Sequence, residues 1–181
     1  MWSVVNDSDR AQWGYVPFEN VGPLRFGMSP EEAAAAMDAQ GFTGCDFPMH
    51  PHHGALVQRT DFRAATAQPY VIAVTVYYGN PGGLACVAVD ALCGPQVSME
   101  RMRLVGQVPS ELTHQFHRYV EERDMGAAFS VEGDAVSDEL GIMMRAQRAG
   151  DVLLSRPFFA RFHDWAYTMH DSVPTDEWDV R

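Results

Sequence analysis

The sequence predicts an α+β domain, in which two or three helices pack on a mainly antiparallel sheet. Residues 70–78 and 84–91 are almost continuously apolar or β-branched, and the turn sequence GNPGG (79–83) separates them. This arrangement predicts a β-hairpin. A helix start with all its capping residues lies at Ser29, and an amphipathic helix is predicted over 110–123. The whole chain, 1–181, is expected to form a single domain.

The first predicted helix follows the stretch VGPLRFGM (21–28), which includes a short strand at 24–26. Ser29 is the N-cap, Pro30 suits the first helical position, and Glu32 completes a capping box. The helix is expected to end near Gly41. Glycines before a helix start often mark a phosphate site. Here Glu31 and Glu32 already occupy the positive end of the helix, and the spacing lacks GxGxxG, so a plain strand-to-helix turn is predicted.

The middle of the chain contains the strongest β signal. Residues 43–54 are rich in glycine, proline and histidine and are predicted to form a loop, followed by a strand over 55–62. Both strands of the predicted hairpin are apolar on both faces. The hairpin therefore belongs at the centre of the sheet, with cover on each side.

The second half carries the predicted helix 110–123 and several strands. The helix has one apolar stripe, and strands are expected at 129–132, 140–146 and 151–155. Over 157–170, aromatic residues repeat at helical spacing, which favours a helix, although their density also suits a strand. The last residues, 171–181, are acidic and are predicted to form a loosely held tail.

Charge and composition restrict the kind of partner. The formal net charge is −11, and all 13 basic residues are arginine. The absence of lysine excludes Schiff-base lysines and the lysine of a P-loop. A chain this acidic is repelled by phosphate backbones, so nucleic acid is excluded and a basic protein is the favoured partner. Alternatively, the acidity only keeps the protein soluble.

The cysteines and the N-terminal residues predict a cytoplasmic protein. Cys45, Cys86 and Cys93 are odd in number and have no CxxC spacing, which does not indicate a disulfide framework. Neither a signal peptide nor a membrane span is predicted.

A histidine-rich loop is a weak candidate metal site. His50, His52 and His53 follow Cys45 and Asp46, and all are good ligand types for zinc or nickel. However, metal ligands must converge on one point, and no regular spacing such as HExxH is present. A surface loop is therefore favoured, and neither a metal nor a cofactor is assigned.

No catalytic residues are assigned either. The chain lacks a GxSxG nucleophile elbow, and Cys86 lies in an apolar strand where a thiol is usually inert. Cys93 is placed at the end of that strand, where a cysteine–histidine pair remains an alternative. His114 and His117 fall on the polar side of the predicted helix 110–123.

Two acidic clusters are the predicted partner-binding residues. The first surrounds an aromatic residue in the tail, and the second spans eight residues after the predicted helix 110–123. Paired carboxylates suit a divalent cation or acid–base chemistry, and solvated charged loops are common. Exposed acids around an aromatic anchor also suit the docking of a basic protein, which is the favoured interpretation. The residues are Asp176, Glu177, Trp178 and Asp179, and Glu132, Asp134, Asp138 and Glu139.

The opening VGPLRFGM (21–28), the segment ELGIMMR (139–145) and the segment DVLLSRP (151–157) together resemble small actinobacterial α+β proteins. Some of these look like toxin-immunity proteins. The resemblance implies an immunity or antitoxin-like protein that masks the active site of a cognate toxin, and it transfers no catalytic residues. We expect a basic toxin that acts on nucleic acid or NAD. The alternatives are a small metal-dependent enzyme that uses the His50–His53 loop and a homo-oligomer built on the aromatic C-terminal segment.

Overall fold

A computed structural model describes residues 3–49, 55–161 and 166–178, and in these residues it contains two sheets, four α-helices and one 3₁₀ turn at Asp7–Asp9. The strands are β1 (Gln12–Val16), β2 (Asn20–Val21), β3 (Leu24–Arg25), β4 (Phe42–Pro48), β5 (Leu56–Ala64), β6 (Val74–Gly79), β7 (Gly83–Val89), β8 (Gln96–Met99), β9 (Met102–Arg103), β10 (Ala128–Phe129), β11 (Ala135–Ser137), β12 (Ile142–Ala149) and β13 (Val152–Ala160). The helices are α1 (Pro30–Asp38), α2 (Pro109–Glu121), α3 (Met169–Ser172) and α4 (Thr175–Trp178).

The strands form an eight-stranded and a five-stranded sheet. The larger has the order β10-β11-β12-β13-β7-β6-β5-β4 and is antiparallel throughout. The smaller has the order β3-β2-β1-β8-β9, with one parallel pair between β1 and β8. The predicted α+β class is confirmed, with two sheets rather than one and with short helices.

The predicted hairpin is central, as its two apolar faces require. β6 and β7 lie between β13 and β5, and their interior residues are buried. One face packs against the smaller sheet and helices α1 and α2. On the opposite face, Tyr77 and Cys86 are register partners, and Cys86 also pairs with Ala160. Residues from 166–178 cover this second face.

Both long helices follow the predicted sequence signals. The Ser29 hydroxyl accepts a hydrogen bond from the Glu32 N–H, and the Glu32 carboxylate accepts one from the Ser29 N–H, so the capping box is formed. In α2, Leu112, Phe116 and Val120 are buried on one stripe. Burial of this stripe fixes α2 on the larger sheet.

The predicted loop over 43–54 is wrong for its first part. Residues Phe42–Pro48 form edge strand β4, which pairs with β5 from Phe42↔Ala64 to Pro48↔Gln58. Ladder hydrogen bonds along a whole strand outweigh the low β-propensity of its glycine and proline. The N-terminal region also contains β1, where Trp13 and Tyr15 are buried as expected.

The helix favoured for 157–170 is wrong at its start. Residues 157–160 continue β13, and Phe158 and Phe159 are paired on both sides, as in Phe158↔Met143 and Phe158↔Ala88. A segment between two strands gains both ladders, which local helical spacing cannot offer. Residues 162–165 lie outside the described residues, and Met169–Ser172 form α3. The predicted strand at 70–78 begins only at Val74 in the structure. Tyr70, at the predicted start, is 80% exposed.

Candidate protein-binding site

The exposed end of the larger sheet carries the second predicted acidic cluster. We call residues 126–132 with Asp138 and Glu139 the β10 edge. The Ser130 N–H donates to the Asp134 carbonyl at 2.8 Å, next to the paired residues Phe129↔Ala135. In an antiparallel ladder this bond makes Phe129↔Ala135 a non-hydrogen-bonded pair. The N–H and C=O groups of Phe129 therefore point away from β11.

Apolar side chains are exposed beside this strand. Phe129 is 59% exposed and Val131 is 90% exposed. The Phe129 ring lies 5.0 Å from the His117 ring on α2, which holds it in place. A cleft of about 230 Å³ lies alongside, and it is lined by Gly126, Ala127, Ala128, Val136, Asp138 and Glu139. An exposed aromatic residue beside a cleft is suited to anchor a partner.

Acidic residues dominate the charge around the β10 edge. Residues 121–139 contain seven acids and one base, Arg123. This arginine is held by Glu100 at 2.8 Å and lies 3.8 Å from Glu122. Acids at the C-terminal end of α2 oppose its dipole, so they do not serve the helix itself. The negative charge is available for a partner.

The structure places predicted acids at both ends of β10. Glu132 lies in the turn after the strand and its carboxylate accepts from the Ser130 hydroxyl at 3.1 Å. At the other end, the Glu139 carboxylate accepts from the Gly126 N–H at 2.7 Å. Asp138 accepts from the Met169 N–H at 2.7 Å, so it also fixes the start of α3. All three remain exposed to solvent.

Asp134 differs from these three because it is partly buried. Its carboxylate lies 3.3 Å from Nε of Arg145. Burial raises the pKa of Asp134, while the Arg145 guanidinium opposes that rise. Asp134 therefore belongs to the interior of the sheet face more than to the exposed edge.

The first predicted cluster faces inward rather than toward solvent. Glu177 is 1% exposed, its carboxylate forms an ion pair with Arg156, and it accepts from the Tyr77 hydroxyl at 2.5 Å. Asp176 is 44% exposed in its side chain and pairs with Arg59 at 3.2 Å. Residues 171–178, expected to be a loosely held tail, thus contact the sheet through charged side chains. Asp179 lies outside the described residues.

Trp178 is packed rather than presented to solvent. The Arg145 guanidinium lies 4.7 Å from its ring centroid, and the His170 ring lies 4.8 Å away. The same arginine donates to the Glu177 carbonyl. Burial and the neighbouring Glu177 carboxylate raise the pKa of Tyr77, so its hydroxyl stays protonated and donates. Three sheet arginines therefore bind the segment Asp176-Glu177-Trp178.

The remaining candidates from the sequence are the histidine-rich loop and Cys93. His50, His52 and His53 lie outside the described residues, and across the described ranges no three His, Cys, Asp or Glu side chains are grouped to hold a metal ion. Cys93 borders a cleft of about 660 Å³ beside Asp90. Burial, followed by the nearby Asp90 carboxylate, raises the pKa of the Cys93 thiol. A thiol kept protonated is a poor nucleophile.

The stretch VGPLRFGM forms the predicted turn. The Gly27 N–H donates to the Leu84 carbonyl, and the Met28 N–H donates to the Arg25 carbonyl. With the capping box, these bonds use the amides that a phosphate would need. This stretch passes so close to the central hairpin that Gly83 has no room for a side chain, because a Cβ there would overlap the Gly27 carbonyl.

Two sets of residues in these sites are not indicated by the sequence. Phe129 and Val131 at the β10 edge stand out only as apolar residues within an acidic run. Arg59, Arg145 and Arg156 come from three different strands, and no local pattern indicates that they converge. No described helix is both long and apolar enough to cross a membrane. No protein-family model matches the chain, and neither curated proteins nor solved structures provide a match.

Proposed function

We propose that this chain is a protein-binding protein that receives an extended, basic segment of a partner at the β10 edge. One observation carries the proposal: an outward-facing strand backbone lies between exposed apolar side chains and acids. The combination offers main-chain hydrogen bonds, an aromatic anchor and charge complementarity in one place.

The mode of binding follows from the geometry of β10. A partner strand can pair with the free N–H and C=O groups of Phe129 and extend the larger sheet. The Phe129 ring and Val131 then become buried against the partner. Acids at both ends of the strand attract basic side chains and accelerate association.

The same acids select against a second copy of the chain. Two acidic edges repel each other, so self-pairing is unfavourable. A strand of two residues also limits nonspecific edge-to-edge pairing. A basic partner experiences neither penalty.

The finer assignment is an immunity or antitoxin-like protein. The resemblance of VGPLRFGM, ELGIMMR and DVLLSRP to proteins of that kind supports it, as does the acidic edge. A toxin that acts on nucleic acid or NAD often has a positive cleft. An acidic protector in that cleft excludes the anionic substrate. The free cysteines Cys45, Cys86 and Cys93 agree with a cytoplasmic setting.

Site-specific cross-linking tests the location of the partner. A photoreactive phenylalanine analogue replaces Phe129 in one variant and the exposed Tyr70 in a control variant. In a lysate of the native host, we expect the first variant to trap one basic protein at low salt and the control to trap none. Equal trapping at both positions would contradict the proposed site. The trapped protein, once purified, must lose its toxic activity when the chain is added.

Charge and anchor variants then test the binding energy. The double variant Phe129→Ala/Glu132→Lys removes the anchor and reverses one acid. We expect the affinity for the purified partner to fall at least about 30-fold, since a lost hot spot costs about 2 kcal/mol. Glu19→Lys makes the same charge change at an exposed site outside the β10 edge, in the turn between β1 and β2, and should change affinity by less than about twofold. Equal losses in both variants would mean that net charge alone drives binding.

A further inference from the structure

The second face of the larger sheet is organised around three converging arginines. Its apolar floor includes Tyr77, Cys86 and Phe158, which are buried beneath Met169 and Val173. Arg59 stands on one side of this floor on β5. Arg145 and Arg156, which are register partners on β12 and β13, stand on the other.

The sheet face binds three groups of Glu177 and its neighbours: the Glu177 carboxylate and carbonyl and the Asp176 carboxylate. Arg156 and the Tyr77 hydroxyl hold the Glu177 carboxylate, and Arg145 donates to the Glu177 carbonyl. Arg145 also stacks on the Trp178 ring, and Arg59 pairs with Asp176. Carboxylate, carbonyl and aromatic ring are each recognised separately. This is how a binding site recognises a peptide ligand.

The buried ion pair between Arg156 and Glu177 is not needed merely to fill the core. Buried ion pairs lose so much solvation that apolar residues of similar size are often equally stabilising. In addition, Nε of the buried Arg156 has no hydrogen-bond partner among the described residues. After Glu177 is bound, the Arg156 Nε–H therefore remains able to donate a hydrogen bond to one further oxygen atom of a ligand.

The bound segment has little structure of its own. Within the described chain, residues 166–178 pair with no strand, and α3 and α4 have four residues each. Helices this short are not stable alone. The order of the segment depends on its contacts with the sheet, so its release need not disturb the two sheets.

We infer that this face is a second binding site, for an acidic peptide with a carboxylate side chain directly before an aromatic residue, and that residues 166–178 occupy it as an intramolecular ligand. When the segment is displaced, the arginines bind the same groups of a partner chain. The site has a different set of binding groups from the β10 edge and takes a ligand of the opposite charge.

Cys86 provides a direct readout of displacement. Its thiol is buried and lies 3.7 Å from the Ser172 carbonyl, so the segment covers it. In a Cys45→Ser/Cys93→Ser background, Cys86 is the remaining cysteine. The probe is the acetylated and amidated peptide PTDEW (174–178), which contains the anchors but lacks Ser172. Its matched control is PTDQW, in which the carboxylate is replaced by an amide.

We expect millimolar PTDEW to increase the rate of maleimide labelling of Cys86 by about fivefold or more, saturably. Millimolar peptide is required because it competes with a tethered segment at millimolar effective concentration. PTDQW should have less than about a third of that effect, because the arginines have lost their charged partner. Equal effects of the two peptides, or no effect of either, would overturn the inference.

Two full-length variants extend the test. Glu177→Gln weakens the intramolecular ligand, so fluorescent PTDEW should bind this variant at least about tenfold more tightly than it binds the parent chain. Arg156→Met/Glu177→Met replaces the ion pair with apolar side chains and should retain the fold. In this variant, PTDEW should not change the rate of Cys86 labelling. A response equal to that of the parent would exclude Arg156 as the receptor. If Glu177→Gln fails to fold, the labelling experiment on the parent chain still decides.

Discussion

The Glu177 carboxylate is held by Arg156 and Tyr77 in the protein interior, and this burial determines how much stability its removal costs. Both members of the ion pair are almost fully buried. Deletion of one partner leaves the other charge buried and uncompensated. The carboxylate thus contributes to stability even though the net value of the pair is small.

Glu177→Ala is expected to lower the free energy of unfolding by about 3–5 kcal/mol. Asp176→Asn is the matched control, because its side chain is 44% exposed and its pairing with Arg59 is screened by solvent. It should cost about 1 kcal/mol or less. Urea denaturation of both variants at pH 7 measures the difference. Similar losses would show that Glu177 is solvated in solution.

At the scale of elements, local signals predicted what local physics determines. The capping box at Ser29 and the apolar stripe of α2 lie within single segments, and both helices form as predicted. Strand β4 and the end of β13 were missed because their stabilisation comes from distant partners. Phe158, for example, pairs with residues 88 and 143. No window of adjacent residues contains that information.

The candidate sites divide in the same way. The acidic run around β10 is visible in the sequence as seven acids and one base, so its position was predicted. The inward orientation of Glu177 was not, because its ligands come from β6 and β13, 100 and 21 residues away. From the sequence alone, a buried carboxylate in an acidic tail cannot be distinguished from a solvated one, because its partners are distant in the chain.

The crossing of the VGPLRFGM stretch over the central hairpin predicts a glycine requirement. Gly83 has φ +68°, and a Cβ there would lie 2.7 Å from the Met28 carbonyl oxygen. Gly133 has φ +90° and open space around it. Gly133→Ala should cost only the backbone strain, about 1–2 kcal/mol. Gly83→Ala adds overpacking and should cost about 2–5 kcal/mol.

Thermal or urea unfolding of the two glycine variants separates strain from overlap. Both substitutions place alanine at positive φ, so the excess loss at Gly83 measures the close approach alone. An equal loss in the two variants would indicate that the segment carrying Gly27 moves away without cost.

At the scale of the whole molecule, the two proposed sites share structural supports. Asp138 lines the cleft at the β10 edge and also accepts from the Met169 N–H at the start of α3. Asp134 follows the turn after β10 and pairs with Arg145, which binds Glu177 and Trp178. A basic partner at the edge competes for the exposed Asp138 carboxylate. Its binding should therefore loosen the C-terminal segment.

This link predicts different effects for two adjacent exposed acids. Asp138→Ala removes the acceptor of the Met169 N–H, so the segment opens more often and Cys86 labelling should accelerate about fivefold, which corresponds to the loss of one hydrogen bond of about 1 kcal/mol. Glu139→Ala removes the same charge, but the hydrogen bond that Glu139 accepts comes from the Gly126 N–H and not from the C-terminal segment. Its labelling rate should stay within about twofold of the parent's, because electrostatic changes at exposed sites are small. Labelling in the Cys45→Ser/Cys93→Ser background measures both rates without any partner present. Equal acceleration in both variants would assign the effect to the lost charge. No acceleration by Asp138→Ala would contradict the proposed link between the β10 edge and the C-terminal segment.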